Sequence, residues 1–459
     1  MLVTTTNGAE LSVAGAEDST PWPDPGVVQV FPERSNAAGD ASVGRRAWTL
    51  TRPLMVGRSP DCGIRLDDAR VSREHLAIER ESEGLRIQDL GSRHGSSLNG
   101  VRLGQEPTHA PPGSVVRCGD TLLLVCANAE LHAQHPHRIT RSFLGTRRDV
   151  LAGPTLYKVW RLTAQVAALR HAVLVLGESG VGKEAIARLV HANRSTRGPF
   201  VALNVAAIAP GLFESELFGH ARGAFTDARG ARAGAFQEAN GGVLFLDEVA
   251  ELRADLQVKL LRALEDGRVR PVGSDRDVLV DVKVVAATNR NLSQAVARGT
   301  FRSDLYHRLA GIVIEVPPLR TRREEILPLA CAMLEDEGVG LSLGADAAER
   351  LLLRSWAGNI RELAHVVAQA SARAVSAGSP SIRARHLPEE SAAGAPHGAL
   401  TLDSVRRAMA KAKGKAGVAA DLLGISRGTL YNYCTRQRVT LAELREGVAQ
   451  PIGMGAAED

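Results

Sequence analysis

The chain has 459 residues, of which 44% are hydrophobic, so it is long enough for three domains with cores of their own. Its net charge of +5 is modest for a protein that binds nucleic acid, so any DNA-binding surface must come from a local cluster of basic residues. No apolar stretch could cross a membrane, no signal peptide is visible and the five cysteines are scattered, which excludes membrane-spanning and disulfide-rich secreted classes and predicts a cytoplasmic protein.

The N-terminal part of the chain begins with residues 1–26, whose Ala, Asp, Pro and Thr content predicts disorder. Residues 27–126 then contain short apolar runs, such as 76–78 and 121–125, set between glycine and serine turns. Several short strands bounded by such turns predict an all-β sandwich. The loops carry three polar motifs, Gly-Arg-Ser at 57–59, Val-Ser-Arg-Glu-His at 71–75 and Asp-Leu-Gly-Ser-Arg-His-Gly-Ser-Ser-Leu-Asn-Gly at 89–100.

In this order and spacing, the three motifs resemble those of a forkhead-associated (FHA) domain, a sandwich whose loops bind phosphothreonine peptides. The resemblance implies that Arg58 pairs with the phosphate through charge-assisted hydrogen bonds and that Ser72 donates its hydroxyl to the same dianion. It also assigns peptide contacts to Arg73, His94 and Asn99. Because the family usually has an asparagine where His94 stands, we expect weaker capture of the peptide backbone. The alternative is a sandwich that no longer binds phosphopeptide and only packs against its neighbour.

A glycine-rich motif follows residues 127–150, which we interpret as a linker. An apolar run at 172–176, the motif GESGVGKE and a helix-forming stretch predict a strand, a glycine-rich turn and a helix. This is the pattern of a phosphate-binding loop, in which backbone N–H groups surround an anion and Lys183 reaches the outer phosphates. Where the usual Ser or Thr would hold Mg²⁺ through its hydroxyl, this chain has Glu184. The candidate nucleotide-binding residues of the loop are Gly177, Glu178, Ser179, Gly180, Val181, Gly182, Lys183 and Glu184.

A second buried strand is predicted at 243–246, and it ends in two carboxylates. Asp247 can hold Mg²⁺ there, and Glu248 can polarise a water molecule. Together with the phosphate-binding loop, this pair predicts an enzyme that binds ATP and Mg²⁺ and hydrolyses the nucleotide.

These two motifs belong to a series of six along the chain, in this order: GESGVGKE, LFESELFGHARGAFTDA, GGVLFLDEVAEL, VGSDRDVLVDVKVVAATNRNL, FRSDLYHRLAGIVIEVPPLR and WAGNIREL. In this order they resemble the AAA+ domain of bacterial enhancer-binding proteins, the activators of sigma-54 RNA polymerase. The resemblance implies an α/β ATPase core over residues 151–320 and a helical lid over 321–387. It also accounts for Glu184, because the loops of this family usually read Lys-Glu at that point.

The same resemblance assigns roles around the nucleotide. Asn204 matches the asparagine that restrains Glu248 until the site is engaged. Thr288 and Asn289 occupy the sensor position near the γ-phosphate, and Arg361 matches the second sensor arginine, which comes from the lid.

Two more arginines, Arg302 and Arg308, match the arginine fingers of the family. A guanidinium aimed at a transferring phosphoryl group neutralises the charge that develops there. In this family the fingers come from the neighbouring subunit, so the resemblance implies a homo-oligomer that is active as a hexameric ring and dimeric when inactive.

The segment Gly-Ala-Phe-Thr-Asp-Ala at 223–228 stands where the family carries the GAFTGA loop that contacts sigma-54. Phe225 and Thr226, the contact-making pair, are present. Asp227 replaces a glycine, which adds a negative charge and removes some backbone freedom.

The C-terminal part follows residues 388–398, an Ala/Gly/Pro-rich segment that predicts a flexible linker. Residues 399–448 contain three short helical patterns with Gly424 at a tight turn, and they resemble the Fis-type helix-turn-helix that ends these activators. This implies binding to upstream enhancer DNA, and the tail 449–459 is predicted to be disordered. The groove and phosphate candidates are Arg427, Thr429, Asn432 and Tyr433.

The sequence therefore predicts a multidomain protein with an all-β FHA sandwich, an α/β P-loop AAA+ core with a helical lid, and an all-α helix-turn-helix. The predicted function is a cytoplasmic activator of sigma-54 RNA polymerase that responds to a phosphothreonine-containing protein or a Ser/Thr kinase. Three alternatives remain: a DNA-binding regulator that no longer engages sigma-54, an ATPase that remodels another target, and a phosphopeptide-binding adaptor with residual ATPase activity.

Overall fold

A computed structural model describes residues 2–4, 10–12, 25–31, 46–134, 137–139, 150–194, 198–209, 211–225 and 230–390, with the single positions 405, 406, 409 and 412. The chain divides into two units, Met1–Leu353 with Gly358–Leu387, and Arg354–Ala357 with Pro388–Asp459. Within residues 1–26, β1 (Leu2–Thr4) pairs antiparallel with β2 (Glu10–Ser12). Several predictions lie outside the described residues: Thr226, Asp227, the four DNA-binding candidates Arg427, Thr429, Asn432 and Tyr433, most of the linker 388–398, and the tail 449–459.

The N-terminal domain is a sandwich of two sheets. One sheet has the strand order β10-β9-β12-β13-β3-β4 and the other β11-β8-β7-β5-β6, and only the β5–β6 pair in them is parallel. In β7 the side chains alternate, so that Leu76 and Ile78 point into the core between the sheets. The strands are β3 (Gly26–Phe31), β4 (Ala47–Thr49), β5 (Leu54–Gly57), β6 (Ile64–Arg65), β7 (Leu76–Glu81), β8 (Gly84–Asp89), β9 (Ser96–Leu98), β10 (Val101–Arg102), β11 (Thr108–Ala110), β12 (Val115–Cys118) and β13 (Thr121–Cys126).

The ATPase core is built on a parallel sheet of five strands. Each of these strands is followed along the chain by helical segments, and apolar clusters cover both faces of the sheet. The remaining strands of the chain are β14 (His137–Ile139), β15 (Val150–Ala152), β16 (Val173–Leu176), β17 (Phe200–Asn204), β18 (Gly219–His220), β19 (Arg232–Ala233), β20 (Val243–Asp247), β21 (Arg268–Val269), β22 (Val278–Leu279), β23 (Lys283–Thr288), β24 (Ile312–Glu315), β25 (Ser342–Leu343) and β26 (Ser381–Ile382).

The order of the five parallel strands is β17-β20-β23-β16-β24. All six residues of β23 are buried, and the four between Lys283 and Thr288 are apolar, as expected for a parallel strand with both faces covered. Asp247 pairs in register with Asn204, and Leu176 with Thr288, so the carboxyl ends of four strands meet at one edge of the sheet. Ligands of open α/β sheets bind at this edge.

The helices of the core have up to 13 residues, and those of the lid have 9 to 18. The described α-helices are Ala129–Gln134, Pro154–Val166, Lys183–Ala192, Phe213–Phe218, Ala235–Glu238, Ala254–Asp266, Leu292–Ala297, Ser303–Leu309, Ile326–Glu337, Ala345–Leu353 and Asn359–Ser376. The last three form the helical lid. In the parts of the chain with described structure, no helix is both long and apolar enough to cross a membrane. The predicted sandwich and the predicted α/β core with its helical lid are confirmed, whereas the predicted helix-turn-helix stays a prediction.

Candidate functional site

The phosphate-binding loop joins β16 to the helix Lys183–Ala192. Gly180 and Gly182 have φ of 77° and 101°, left-handed conformations that favour glycine. At Gly180 a Cβ would lie 2.3 Å from the Gly358 carbonyl oxygen, so the lid backbone packs directly against the loop. The Lys183 ammonium is 7% exposed and donates to the carbonyl oxygens of Gly177 at 3.0 Å and Glu178 at 3.3 Å. The loop is therefore tight, and its lysine is held at the centre.

Strand β20, which β23 separates from β16 in the sheet, carries two carboxylates to the same edge. Glu248 has a left-handed backbone with φ of 54°, which turns its side chain back towards the loop. One carboxylate oxygen lies 3.7 Å from Lys183 Nζ, and the other accepts from the Asn289 backbone N–H at 3.3 Å. Burial, and then the nearby Glu248 charge, raise the pKa of Asp247, while Lys183 opposes that shift.

Asn204 and Thr288 stand at the ends of the strands that flank β20. The Asn204 amide donates to Asp247 at 3.3 Å, and its oxygen accepts from the N–H groups of Ala206 and Ala207. Thr288 is fully buried and its hydroxyl accepts from the Arg290 N–H at 3.0 Å. The partner of the Asn204 amide here is thus Asp247, and restraint of Glu248 by Asn204 stays a prediction.

Glu184 is turned away from this cluster. It is exposed and pairs with Arg188 one helical turn later, with contacts of 3.0 and 2.6 Å. Among the described residues, the carboxylate that pairs with Lys183 is Glu248, which follows β20.

The lid contacts the phosphate-binding loop through the start of the helix Asn359–Ser376. The Ile360 N–H donates to Gly180 O at 2.9 Å, and the Arg361 guanidinium donates to Ser179 Oγ at 3.0 Å. The fully buried Asn359 amide donates to both Glu178 Oε2 at 3.1 Å and Ser179 O at 3.0 Å. The lid thus touches three consecutive residues of the loop.

Arg320 reinforces the same contact from the hinge between the core and the lid. Its guanidinium binds both oxygens of Glu178, at 2.8 and 2.6 Å, and these bonds hold the pKa of Glu178 below its usual value. Sequence reasoning singled out Glu178 and Arg361 but missed Arg320 and Asn359. The available signals were the arginine after Pro317-Pro318 and the asparagine of the WAGNIREL motif, and neither residue type indicates a partner by itself.

A buried ion pair contacts the backbone of the phosphate-binding loop at Val181. Arg322 Nη1 donates to Glu325 Oε2 at 2.9 Å, and Arg322 Nη2 donates to the Val181 carbonyl oxygen at 2.9 Å. The two side chains are 1% and 2% exposed. The other Glu325 oxygen accepts from the Gly153 N–H at 3.0 Å, which ties the first residues of the core to the hinge.

The two candidate arginine fingers lie on the protein surface. Arg302 forms a two-point pair with Asp304 at 3.0 and 2.7 Å, and Arg308 donates twice to the Leu264 carbonyl oxygen. Among the hydrogen bonds of the described residues, neither guanidinium has a partner in the phosphate-binding loop. In a single chain they are therefore not part of the cluster around Lys183.

Phe225 ends the described part of the predicted sigma-54 loop. Its side chain is 40% exposed, and its ring lies 5.0 Å from the ring of His220, which in turn bonds to Ser215.

The FHA candidates cluster at one end of the sandwich. The Arg58 N–H donates to Ser72 O at 2.9 Å, which brings the two predicted phosphate-binding residues onto adjacent loops. Arg58 and Arg73 line a cavity of about 710 Å³. Ser72 is positioned twice: its N–H donates to His75 Nδ1 at 2.9 Å, and its hydroxyl accepts from the Arg93 N–H at 3.1 Å.

The other two FHA candidates lie on either side of β9, His94 in the loop before it and Asn99 in the turn after it. His94 is exposed on the loop between β8 and β9, next to Arg93. Asn99 has a left-handed backbone, with φ of 50°, and its side chain accepts from the Val115 N–H at 2.9 Å and donates to Ser114 Oγ at 3.4 Å. Asn99 thus braces a turn of the sandwich, and its predicted peptide contact stays a prediction.

Comparison with known protein families matches three regions of the chain. Residues 150–315 match the Sigma-54 interaction domain, residues 54–119 the FHA domain, and residues 320–402 the AAA+ ATPase lid domain.

Individual relatives are similar over the ATPase region. The hydrogenase transcriptional regulatory protein HoxA of Cupriavidus necator is 48% identical over 226 residues, which is 48% of this chain and 47% of HoxA. The crystal structure of NtrX from Brucella abortus aligns with a TM-score of 0.48 at 32% identity, covering 62% of this chain and 68% of that one. The chain spans about half the length of the first curated relatives that it matches.

The transcriptional regulatory protein GlrR of Escherichia coli is matched over more of its length. It is 38% identical over 313 residues, which is 65% of this chain and 69% of GlrR. With this relative and the two domain matches in the ATPase region, the chain belongs to the family of sigma-54-dependent transcriptional activators, and it carries an FHA domain together with the AAA+ domain and its lid.

Proposed function

We propose that this protein hydrolyses ATP to remodel sigma-54 RNA polymerase at promoters, and that recognition of phosphothreonine by its FHA domain regulates this activity. The observation that carries the proposal is the convergence of Lys183, Asp247, Glu248 and Arg361 on one edge of the parallel sheet. A cation, two carboxylates and a lid arginine around a glycine-rich loop are the parts that phosphoryl transfer requires.

Different residues of the chain bind the phosphates of ATP and activate the attacking water. The N–H groups of the loop from Gly177 to Lys183 and the Lys183 ammonium bind the phosphates of ATP, and Thr288 and Asn289 border the γ-phosphate. Glu248 accepts the proton of the attacking water. Lys183 and the Asn289 N–H position Glu248, and its carboxylate keeps acceptor sites free for this proton.

Asp247 is the residue that would hold Mg²⁺. Burial, and then the nearby Glu248 carboxylate, raise the pKa of Asp247, and a divalent cation held there would favour its ionised form. When bound, Mg²⁺ supplies positive charge to the phosphate oxygens. Asn204 donates to Asp247 and so orients it.

Completion of the site requires a second copy of the chain. Arg302 and Arg308 are exposed, and their guanidinium groups bond to Asp304 and to Leu264 O of the same chain. This suits arginine fingers that are inserted into the site of a neighbouring subunit. We propose a homo-oligomeric ring, hexameric when active and dimeric when inactive.

The remaining contacts lie at other surfaces. Phe225 and Thr226 form the tip that contacts sigma-54, and the exposed Phe225 ring supports this assignment. Arg427, Thr429, Asn432 and Tyr433 bind upstream enhancer DNA. Arg58, Ser72 and Arg73 bind the phosphothreonine of a partner protein or Ser/Thr kinase in the cytoplasm, and His94 and Asn99 are the further candidates for peptide contacts.

Transcription in vitro tests the proposal with purified sigma-54 polymerase, ATP and a supercoiled template that carries the upstream site. We expect open complexes only with hydrolysable ATP, and none with a Glu248→Gln variant. ATP hydrolysis without open complexes would support a regulator that no longer engages sigma-54. Phosphopeptide binding without hydrolysis at any protein concentration would support the adaptor alternative.

A further inference from the structure

The FHA sandwich contacts the ATPase lid through a carboxylate that is nearly removed from solvent. Glu349, on the lid helix Ala345–Leu353, is 8% exposed. One of its oxygens accepts from Ser97 Oγ at 2.6 Å, and the other accepts from Arg117 Nη1 at 3.0 Å. Both donors belong to the sandwich, from β9 and β12. A buried carboxylate whose two oxygens are both bonded across a domain boundary is a specific contact, because leaving either oxygen unpaired is costly.

Two further contacts extend this interface. Arg323 Nη1 donates to the Gly113 carbonyl oxygen at 2.5 Å, at the turn between β11 and β12. Leu353 lies so close to the β9–β10 turn that a Cβ at Gly100 would be 3.3 Å from its Cδ1 atom. The sandwich therefore holds the lid at the hinge as well as along the helix Ala345–Leu353.

Both of these lid segments are close in sequence to residues that touch the phosphate-binding loop. Arg323 follows Arg322, whose guanidinium donates to Val181 O. The helix Ala345–Leu353 precedes the helix that begins with Asn359, which bonds to Glu178 and Ser179. A lid held by the sandwich is thus held in the position in which it covers the loop.

The same face of the sandwich also borders the predicted phosphopeptide site. A groove of about 350 Å³ is lined by His94, Ser97, Arg102 and Arg117 on the FHA side and by Glu349 on the lid side. The loop that contains His94 also supplies the N–H that positions the Ser72 hydroxyl. Acidic groups that flank a bound phosphothreonine would contact Arg102 and Arg117 in this groove. Arg117 already donates a hydrogen bond to Glu349, so these acidic groups would compete with Glu349.

We propose that Glu349, with Ser97 and Arg117, forms a latch that holds the FHA domain on the ATPase lid, and that a phosphothreonine peptide with an acidic flank opens it by competing for Arg117. This rests on the proposed phosphothreonine recognition. The latched lid retains nucleotide, and opening the latch speeds ADP release. Peptide binding and lid closure are then coupled, because the peptide and Glu349 compete for the Arg117 guanidinium.

Hydrogen exchange on the full-length chain tests the latch without peptide, sigma-54 or hydrolysis. In Glu349→Arg and Arg117→Glu, we expect exchange in the β9–β10 turn and in the helix Ala345–Leu353 to rise about fivefold or more. The double variant, with the charges exchanged, should restore protection. Arg350→Ala, an exposed change on the same helix, is the matched control. Wild-type exchange in both single variants would overturn the latch, and so would failure of a folded double variant to recover protection.

Calorimetry tests the competition, with a peptide in which two aspartates follow phosphothreonine. Glu349→Gln leaves every proposed peptide contact in place, so we expect it to bind this peptide about fivefold more tightly than wild type. Release of a fluorescent ADP analogue should accelerate by a similar factor in Glu349→Gln, and in wild type when peptide is added. Equal peptide affinity in both proteins would overturn the competition. If no phosphopeptide binds at all, the sensory function fails and competition fails with it, while the exchange data judge the latch separately.

Discussion

The Asn359 side chain donates to the Glu178 carboxylate at 3.1 Å from a backbone with φ of 53°, a left-handed conformation that few residues adopt. The same amide also donates to Ser179 O, and its oxygen accepts from the Leu319 N–H at 2.8 Å. One asparagine therefore connects the lid, the hinge and the phosphate-binding loop.

We predict that Asn359→Ala lowers the free energy of unfolding by about 2–4 kcal/mol, because it leaves buried partners unpaired and strains the left-handed backbone. Denaturant unfolding measures this change. Asn359→Gly removes the same hydrogen bonds but tolerates the conformation, so it should be less destabilising than the alanine variant. Equal loss in both variants would rule out the contribution of backbone strain.

Glu248→Gln should bind ATP but turn it over about a hundredfold more slowly or worse, because an amide cannot accept the proton of the attacking water. Nucleotide affinity and steady-state hydrolysis are the two measurements. Lys183→Ala is the contrasting variant, since it should lose affinity for ATP as well. Normal turnover by Glu248→Gln would assign the base to another residue.

Hydrolysis should require oligomers, because Arg308 bonds to Leu264 O of its own chain and not to the phosphate-binding loop. Specific activity should rise with protein concentration, and Arg308→Ala should lower the turnover number about a thousandfold. Arg308→Ala subunits mixed with wild type should poison the activity, whereas the exposed Arg298→Ala should not. Turnover per chain that does not change with dilution to monomers would contradict the prediction.

Phe225→Ala should abolish activation of a sigma-54 promoter while ATP hydrolysis continues, because the exposed ring contacts His220 and no residue of the nucleotide site. Thr226→Ala should behave in the same way. Open-complex formation and hydrolysis are measured side by side, with Val375→Ala as an exposed apolar control from the lid. Unimpaired activation by both loop variants would show that this segment is not the sigma-54 contact.

The FHA domain should lose stability as the pH falls below about 6.5, the value for an unperturbed histidine. Burial lowers the pKa of His75 in the folded state, so the unfolded chain binds the proton first and acid favours unfolding. Protonation also removes the acceptor that Nδ1 offers to the Ser72 N–H. His75→Asn, whose side-chain oxygen can replace Nδ1, should flatten this part of the pH profile of unfolding. An unchanged profile would mean that other groups cause the acid sensitivity.

Much of the fold was predictable because its signals are local. The glycines and lysine of the phosphate-binding loop, the apolar run that ends at Asp247 and the short alternating strands each carry their pattern within a few residues. The contacts of Arg320, Asn359 and Glu349 could not be predicted in this way. Each depends on a partner far away in sequence, at a separation of 142 residues for Arg320, 180 for Asn359 and 232 for Glu349. Within its own helix, a position that another domain buries has the same sequence pattern as an exposed one.

The hydrogen bond from the Gly153 N–H to Glu325 limits where a recombinant ATPase fragment can begin. A Cβ at residue 153 would lie 2.1 Å from the Glu324 carboxylate, so a larger residue there would displace the Glu324 side chain, and the Gly153 N–H donates to the Glu325 carboxylate that holds Arg322. A recombinant fragment that begins after this glycine would leave that carboxylate oxygen buried without its donor, directly beneath the phosphate-binding loop. Exchange of sensory domains between relatives should therefore place the junction before Gly153, so that the transplanted ATPase keeps its own first residues.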